Sequence, residues 1–214
     1  MVVAALVVVV ELTIGLLVAS GWAQQGGPIA EPTLHPAVRM DMLLEKTIFK
    51  VNVLTLDLWL GPDTARQLAP WLGPQPREAA PDSVAHIGIY SQDAWARIEF
   101  LRTVGLDRFL DGIVSNLRRT WQAGILTEAE YEMIAQGLPN WFSPLRERNI
   151  IKGDQLFYRI RGDTLRTVFL TVGGQTPIDQ TDVGRERGLS VLGGFFVEGS
   201  DFREGLLTSL SSVH

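Results

Sequence analysis

The chain has 214 residues, of which 46% are hydrophobic and 20% charged, with a formal net charge of −5 and no cysteine. That length suits one well-cored domain, and the balance of apolar to charged residues excludes a disordered chain. Without cysteine there are no disulfides, thiol nucleophiles, Cys-ligated zinc or Cys-held iron–sulfur clusters. The acidic balance gives no electrostatic case for nucleic acid, because a phosphate-binding surface clusters Lys and Arg. The arginines around Arg97 to Arg119 and Arg159 to Arg166 alternate with acids and apolar residues, as solvated faces do. His35, His86 and His214 are far apart in sequence, so neither a His-rich metal site nor any other cofactor is expected.

Val2 to Ala19 is almost continuously apolar, broken by Glu11 and Thr13, and is followed by small residues at Gly21 and Ala23. This pattern predicts a signal peptide over residues 1–23, cut after Ala23, and hence a periplasmic or secreted protein. Two features depart from the usual pattern: no Lys or Arg precedes the run, and Glu11 sits inside it. The alternative is a retained anchor, for which the run barely reaches the ~20 apolar residues a bilayer requires. After cleavage no stable membrane insertion is expected, since no comparable run follows.

Residues 24–39, with Gly26, Gly27, Pro28, Pro32 and Pro36, read as a flexible leader, and the domain is placed at 40–214. Thr47 to Leu60 is β-branched, aromatic and apolar on both faces, which predicts a central strand ended by Gly61-Pro62. Asp63 caps a short helix to Leu68, closed by Pro70, and residues 73–82 form a proline-rich loop. Val84 to Tyr90 fits either strand or helix, while Ala96 to Val104 alternates as a strand.

Leu106, Phe109, Leu110, Ile113 and Leu117 lie at helical spacing and predict a helix to about Trp121. Thr127 and Glu130 form a capping box for a second helix, expected to stop at Gly137 and Pro139. Gln155 to Arg161 and Leu165 to Val172 read as a hairpin about Gly162-Asp163. Gly188 to Val197 reads as a helix in which Gly193-Gly194 permits close approach of another backbone. A last helix, capped by Asp201 and Glu204, carries Leu206, Leu207 and Leu210.

No nucleophile elbow, phosphate-cradling glycine loop or zinc-protease histidine pair is present. Asp179 and Asp182 lack the further oxygens and fixed glycine of a calcium loop, so a turn is expected there. Asn116 stands out, because it follows Phe109 by seven residues and so projects from the edge of the same apolar stripe. A half-buried amide must find partners. It is either bonded to a neighbouring loop backbone or part of the polar floor of a cleft. Lys50 and Asn52 share one face of an otherwise apolar strand; the lysine can snorkel to the strand end, which leaves Asn52 suggestive.

Three passages carry a family resemblance. IFKVNVLTLDLWL (Ile48 to Leu60) resembles a strand of chalcone isomerase-like proteins, and IEFLRTVGLDRF (Ile98 to Phe109) resembles the strand-to-helix passage of bacterial members. The stretch from Val191 through Gly199–Arg203 to Leu210 resembles their paired C-terminal helices. The resemblance implies an α+β fold, an antiparallel sheet with helices packed on one face (an open-faced β-sandwich). It also implies cleft residues at Arg39, Asn52, Phe109, Asn116 and Gly194. Asn116 matches the helix Asn of the family's isomerases. Phe109 stands where they have Tyr, Asn52 where they have a strand Thr, Gly194 where they have a late Ser or Thr, and Arg39 lies one residue out of step with their Arg.

Ring closure onto an unsaturated ketone needs donors for the phenolate and the developing enolate. With those hydroxyls replaced, flavanone formation is expected to be absent and no catalytic residue is assigned. The implied function is binding of a small apolar ligand, such as a fatty acid, in a cleft between sheet and helices. An isomerase or intramolecular lyase on another substrate is the alternative, and an envelope protein-interaction module the third. The export reading predicts that the full chain, made in a host with a general secretory pathway, yields a mature protein beginning at Gln24. N-terminal sequencing checks this, and recovery of the intact apolar segment in the membrane fraction would show a retained anchor instead.

Overall fold

The computed structural model describes residues 38–46, 51–72 and 81–211, all within one compact unit, Glu31–His214. The apolar run over residues 1–23, residues 24–37 of the leader, Lys50 and residues 73–80 of the expected loop lie outside the described residues. The side chain of Asn52 does too. Among the described residues no helix is long and apolar enough to cross a membrane.

Six strands make one antiparallel meander in sequence order: β1 (Val38–Lys46), β2 (Val51–Leu60), β3 (Asp93–Phe100), β4 (Gln155–Arg161), β5 (Thr164–Leu170) and β6 (Ile178–Val183). Strand periodicity divides each strand between two faces. On one face Met40, Leu58 and Ala96 face each other across β1, β2 and β3, with Met42, Leu56 and Ile98 in the next row. All six are buried, and they belong to the main core. Between Leu44 and Glu45 the β1–β2 register shifts, leaving Val53 without a partner across the ladder, as in a β-bulge. The β4–β5 hairpin turns at Gly162, whose φ of +58° suits a residue without a Cβ.

The helices cover that same face. They are α1 (Pro62–Leu72), α2 (Pro81–Ile89), α3 (Leu106–Gln122), α4 (Glu128–Trp141), α5 (Arg185–Phe196) and α6 (Arg203–Ser211). α6 and α1 pack on β1, and α5 packs on β5. Ser209 of α6 accepts a hydrogen bond from Asp41 N–H at 3.0 Å, which meets one orphan donor of edge strand β1. The architecture is the expected α+β arrangement of an antiparallel sheet with helices on one face.

Several boundaries differ from expectation. Val38 and Arg39, read as leader, open β1. The ambiguous segment at Val84 is helical and belongs to α2. α1 continues through Pro70, and α4 through Gly137 and Pro139 to Trp141. Both prolines sit in the last turn, where the missing N–H removes a single ladder bond, and Phe142 N–H still reaches Leu138 O at 3.1 Å. The Asp179–Asp182 segment is edge strand β6, not a turn. There Asp179 accepts two bonds from Arg166, each 2.8 Å, which hold its carboxyl below the usual range.

The opposite face of the sheet carries a second, smaller cluster. Trp59 and Trp95 meet edge to face at 4.3 Å, and Phe157 lies 5.7 Å from Trp95. Beside them the buried Asp57 carboxylate accepts from Arg39 at 2.8 Å and from Arg97 at 2.7 Å. A different carboxylate ties the sheet to its longest excursion. Asp154 is fully buried and accepts from Arg148 at 2.6 Å, Ile151 N–H at 2.9 Å and Val172 N–H at 3.0 Å. Removing that carboxylate strands a guanidinium and two backbone donors, so Asp154→Ala is expected to lower stability by about 3–5 kcal/mol. Urea denaturation of the purified domain measures this.

Candidate ligand-binding cavity

Residues 101–154 leave the sheet after β3 and return at β4, forming the α3–α4 hairpin. At its base Val104 and Ile150 exchange backbone hydrogen bonds of 2.8 and 3.1 Å. α4 begins at a complete capping box, in which Thr127 Oγ1 accepts from Glu130 N–H and Glu130 accepts from Thr127 N–H at 2.7 Å. α3 is held from the side, against α4 and α5. Its apolar stripe touches the strands where Phe109 meets Phe100 but is not closed over by them. Leu106, Phe109, Leu110 and Ile113 stay half-buried although they face inward, and only Leu117 is closed off.

The space beneath is a cavity of about 1540 Å³ between the sheet and α3, α4 and α5. Its floor includes Leu54, Ile98 and Phe100, and its roof includes Phe109, Ile113, Leu138 and Phe142. Phe109 packs edge to face on Phe100 at 5.7 Å and on Phe142 at 5.3 Å, bridging floor and roof. The exposed residues of the lining include Arg102, Arg108 and Arg146, interspersed with Asp107 and Glu147.

The cavity brings together three of the five residues singled out from sequence: Phe109, Asn116 and Gly194. A methyl group built on Gly194 would lie 3.5 Å from Asn116 Cβ. The partner of the Asn116 amide is on its own helix, not in a loop: Oδ1 accepts from Arg119 Nη1 at 2.8 Å. Arg39 stands on the opposite face of the sheet, paired with Asp57 and over the Trp59 ring. Alternation along β1 dictates this, since Met40 beside it points to the core. Asn52 pairs with Glu45 through the backbone of β2.

Sequence reasoning missed the polar part of the lining. Tyr158, Thr167 and Gln180 are consecutive register partners across β4, β5 and β6, and all three line the cavity. Asp182, two residues further along β6, lines it as well. Burial pushes the Tyr158 hydroxyl well above the ordinary phenol range, so it stays protonated and can donate. Period-two counting along β4 and β5 could have found the pair, because Tyr158 and Thr167 fall in phase with the core residues Leu156 and Leu165.

No family model matches the chain, and no curated protein matches it in sequence. Among solved structures it is similar to the crystal structure of a fatty-acid binding protein from Arabidopsis thaliana, with a TM-score of 0.56 and 11% identity. The match covers 81% of this chain and 87% of that one. The fold is chalcone isomerase-like. At that identity the likeness fixes the architecture and leaves the chemistry to the site itself.

The roof is positioned where α5 crosses α3. A methyl group on Gly193 would overlap Thr120 of α3, whereas one on Gly194 would make ordinary van der Waals contact. Gly193→Ala is therefore expected to cost about 1–3 kcal/mol through overpacking. Gly194→Ala is expected to be neutral or stabilising by up to about 1 kcal/mol from helix propensity. Denaturant midpoints of the two variants, side by side, check the contrast.

Proposed function

We propose that this chain is an exported, non-catalytic member of the chalcone isomerase-like family that binds a fatty acid or similar apolar molecule between its sheet and helices. The observation that carries the reading is the α3 stripe: large apolar side chains that face inward yet stay half-exposed around about 1540 Å³ of space. Small-molecule pockets usually enclose about 300–1,000 Å³, so an extended chain has room. Each methylene taken out of water there contributes about 0.8 kcal/mol. The arginines among the exposed lining residues suit a carboxylate left at the water boundary. The printed description of the structural relative, a fatty-acid binding protein, agrees with that ligand class.

Binding is favoured over ring-closing catalysis because Phe109 and Gly194 carry no hydroxyl where the resemblance places the isomerases' Tyr and late Ser or Thr. The cavity hydroxyls Tyr158 and Thr167 stand elsewhere, on β4 and β5. Export rests on the apolar segment before Ala23 and its small-residue cut site. Native mass spectrometry of the mature protein is expected to show a co-purifying acyl chain, or stoichiometric uptake of added oleate. Ile113→Asp, which sets a carboxylate in the apolar lining, is expected to weaken oleate binding at least about tenfold while circular dichroism shows the fold retained. Repeated empty spectra with no oleate uptake would overturn the binding reading. Chalcone turnover well above the spontaneous rate would overturn the non-catalytic one.

A further inference from the structure

The sheet face beneath the helices is apolar over β1, β2 and β3 and is interrupted over β4, β5 and β6 by a polar row beside Asp182. Tyr158, Thr167 and Gln180 form a continuous row across three adjacent strands, about 4.8 Å apart from one strand to the next. Thr167 is only 5% exposed. Among the described residues, none of the three side chains has a hydrogen-bond partner in the protein, though each lines the cavity. Their neighbours on this face, Leu156, Ile160, Leu165, Phe169 and Ile178, are apolar core residues. Among the described residues no neighbouring protein group calls for a phenol, a hydroxyl and an amide there. Thr167 is buried and Tyr158 and Gln180 are half-buried, so the polar atoms of the row find their partners in whatever fills the cavity rather than in the protein.

We propose that the Tyr158–Thr167–Gln180 row is a hydrogen-bonding subsite for an uncharged oxygen carried midway along the bound chain, so that oxygenated acyl chains are the preferred ligand class. This deepens, and rests on, the fatty-acid reading of the cavity. In the empty cavity water satisfies the row. A plain hydrocarbon laid over it expels that water and returns nothing, whereas a hydroxyl or carbonyl restores the lost bonds.

The oxygen is uncharged because the flanking sheet positions carry no cation. The charged group on this face near the row is the Asp182 carboxylate, which would repel an acid. Arg119, the half-buried arginine of α3, lines the cavity from the helix side beside Asn116, not from the sheet face that carries the row. Burial keeps Tyr158 protonated, as a donor to such an oxygen. The position is midway because the exposed Arg102 follows the end of β3 at Phe100. The line of the row meets β3 at Ala96, four residues and about 13 Å from Phe100 at about 3.3 Å per residue, with Arg102 two residues beyond.

Ricinoleate and oleate, which differ by one mid-chain hydroxyl, separate the claims. By titration calorimetry on the mature protein, ricinoleate is expected to bind about three- to tenfold more tightly, as one or two net hydrogen bonds would give. Tyr158→Phe with Thr167→Val, both close to isosteric, should abolish that preference, with oleate binding more tightly because it no longer strips water from the row and ricinoleate losing its partners. If the double variant does not fold, Tyr158→Phe alone should at least halve the preference. Equal affinities in the wild type, or a preference that survives the variants, would overturn the subsite while leaving the fatty-acid reading intact. Failure of both ligands to bind would overturn both.

Discussion

The buried Asp154 carboxylate is the point on which the rest of the domain depends. It ties together Arg148, the turn at Ile151 and the end of β5 through Val172. Its own backbone carbonyl accepts from Phe100, the last residue of β3. A charge taken wholly out of water is tolerable only when several donors surround it, and here they come from two separate stretches of chain, around Arg148–Ile151 and at Val172. That requirement fixes where the α3–α4 hairpin returns to the sheet, and the backbone bonds Phe100 N–H to Asp154 O and between Val104 and Ile150 fix where it leaves. The gap between hairpin and strands, and therefore the cavity, follows from both.

The two faces of the sheet solve different problems. The outer face combines aromatic contacts with arginine–carboxylate pairs, which suits side chains long enough to keep charged heads near water. The inner face is filled by leucine, isoleucine, methionine and phenylalanine where helices press directly on it. Where α3 is held off the strands, the filling stops and polar side chains appear in the floor. A local break in an otherwise consistent apolar pattern is where function is to be sought, and here the break coincides with the cavity.

The alternation and capping signals that could be read along the chain correspond to elements stabilised locally. The capping box at Thr127 and Glu130, the hairpin at Gly162 and the stripe from Leu106 to Leu117 each depend on residues a few positions apart. Harder to read were segments whose partners come from elsewhere. β1 follows a proline-rich leader, and its alternation becomes meaningful only beside β2. β6 is short of apolar residues because Asp179 meets Arg166 on one face while Gln180 and Asp182 meet a cavity on the other. Arg39 was assigned by nearness in sequence to a family position, and the strand phase sends it to the far side of the sheet.

The sequence alone determined the hairpin at Gly162, the capped helix from Thr127 and the helix that roofs the cavity. Each is a property of residue type and short-range spacing, while the α+β class entered through the resemblance. Only the tertiary structure decided that Phe109, Asn116 and Gly194 share one space, that Arg39 does not join them, and that Tyr158, Thr167 and Gln180 line up beneath. Such a row is written across strands whose register is set by pairing and by the closure of the α3–α4 hairpin. No periodicity along a single segment contains it.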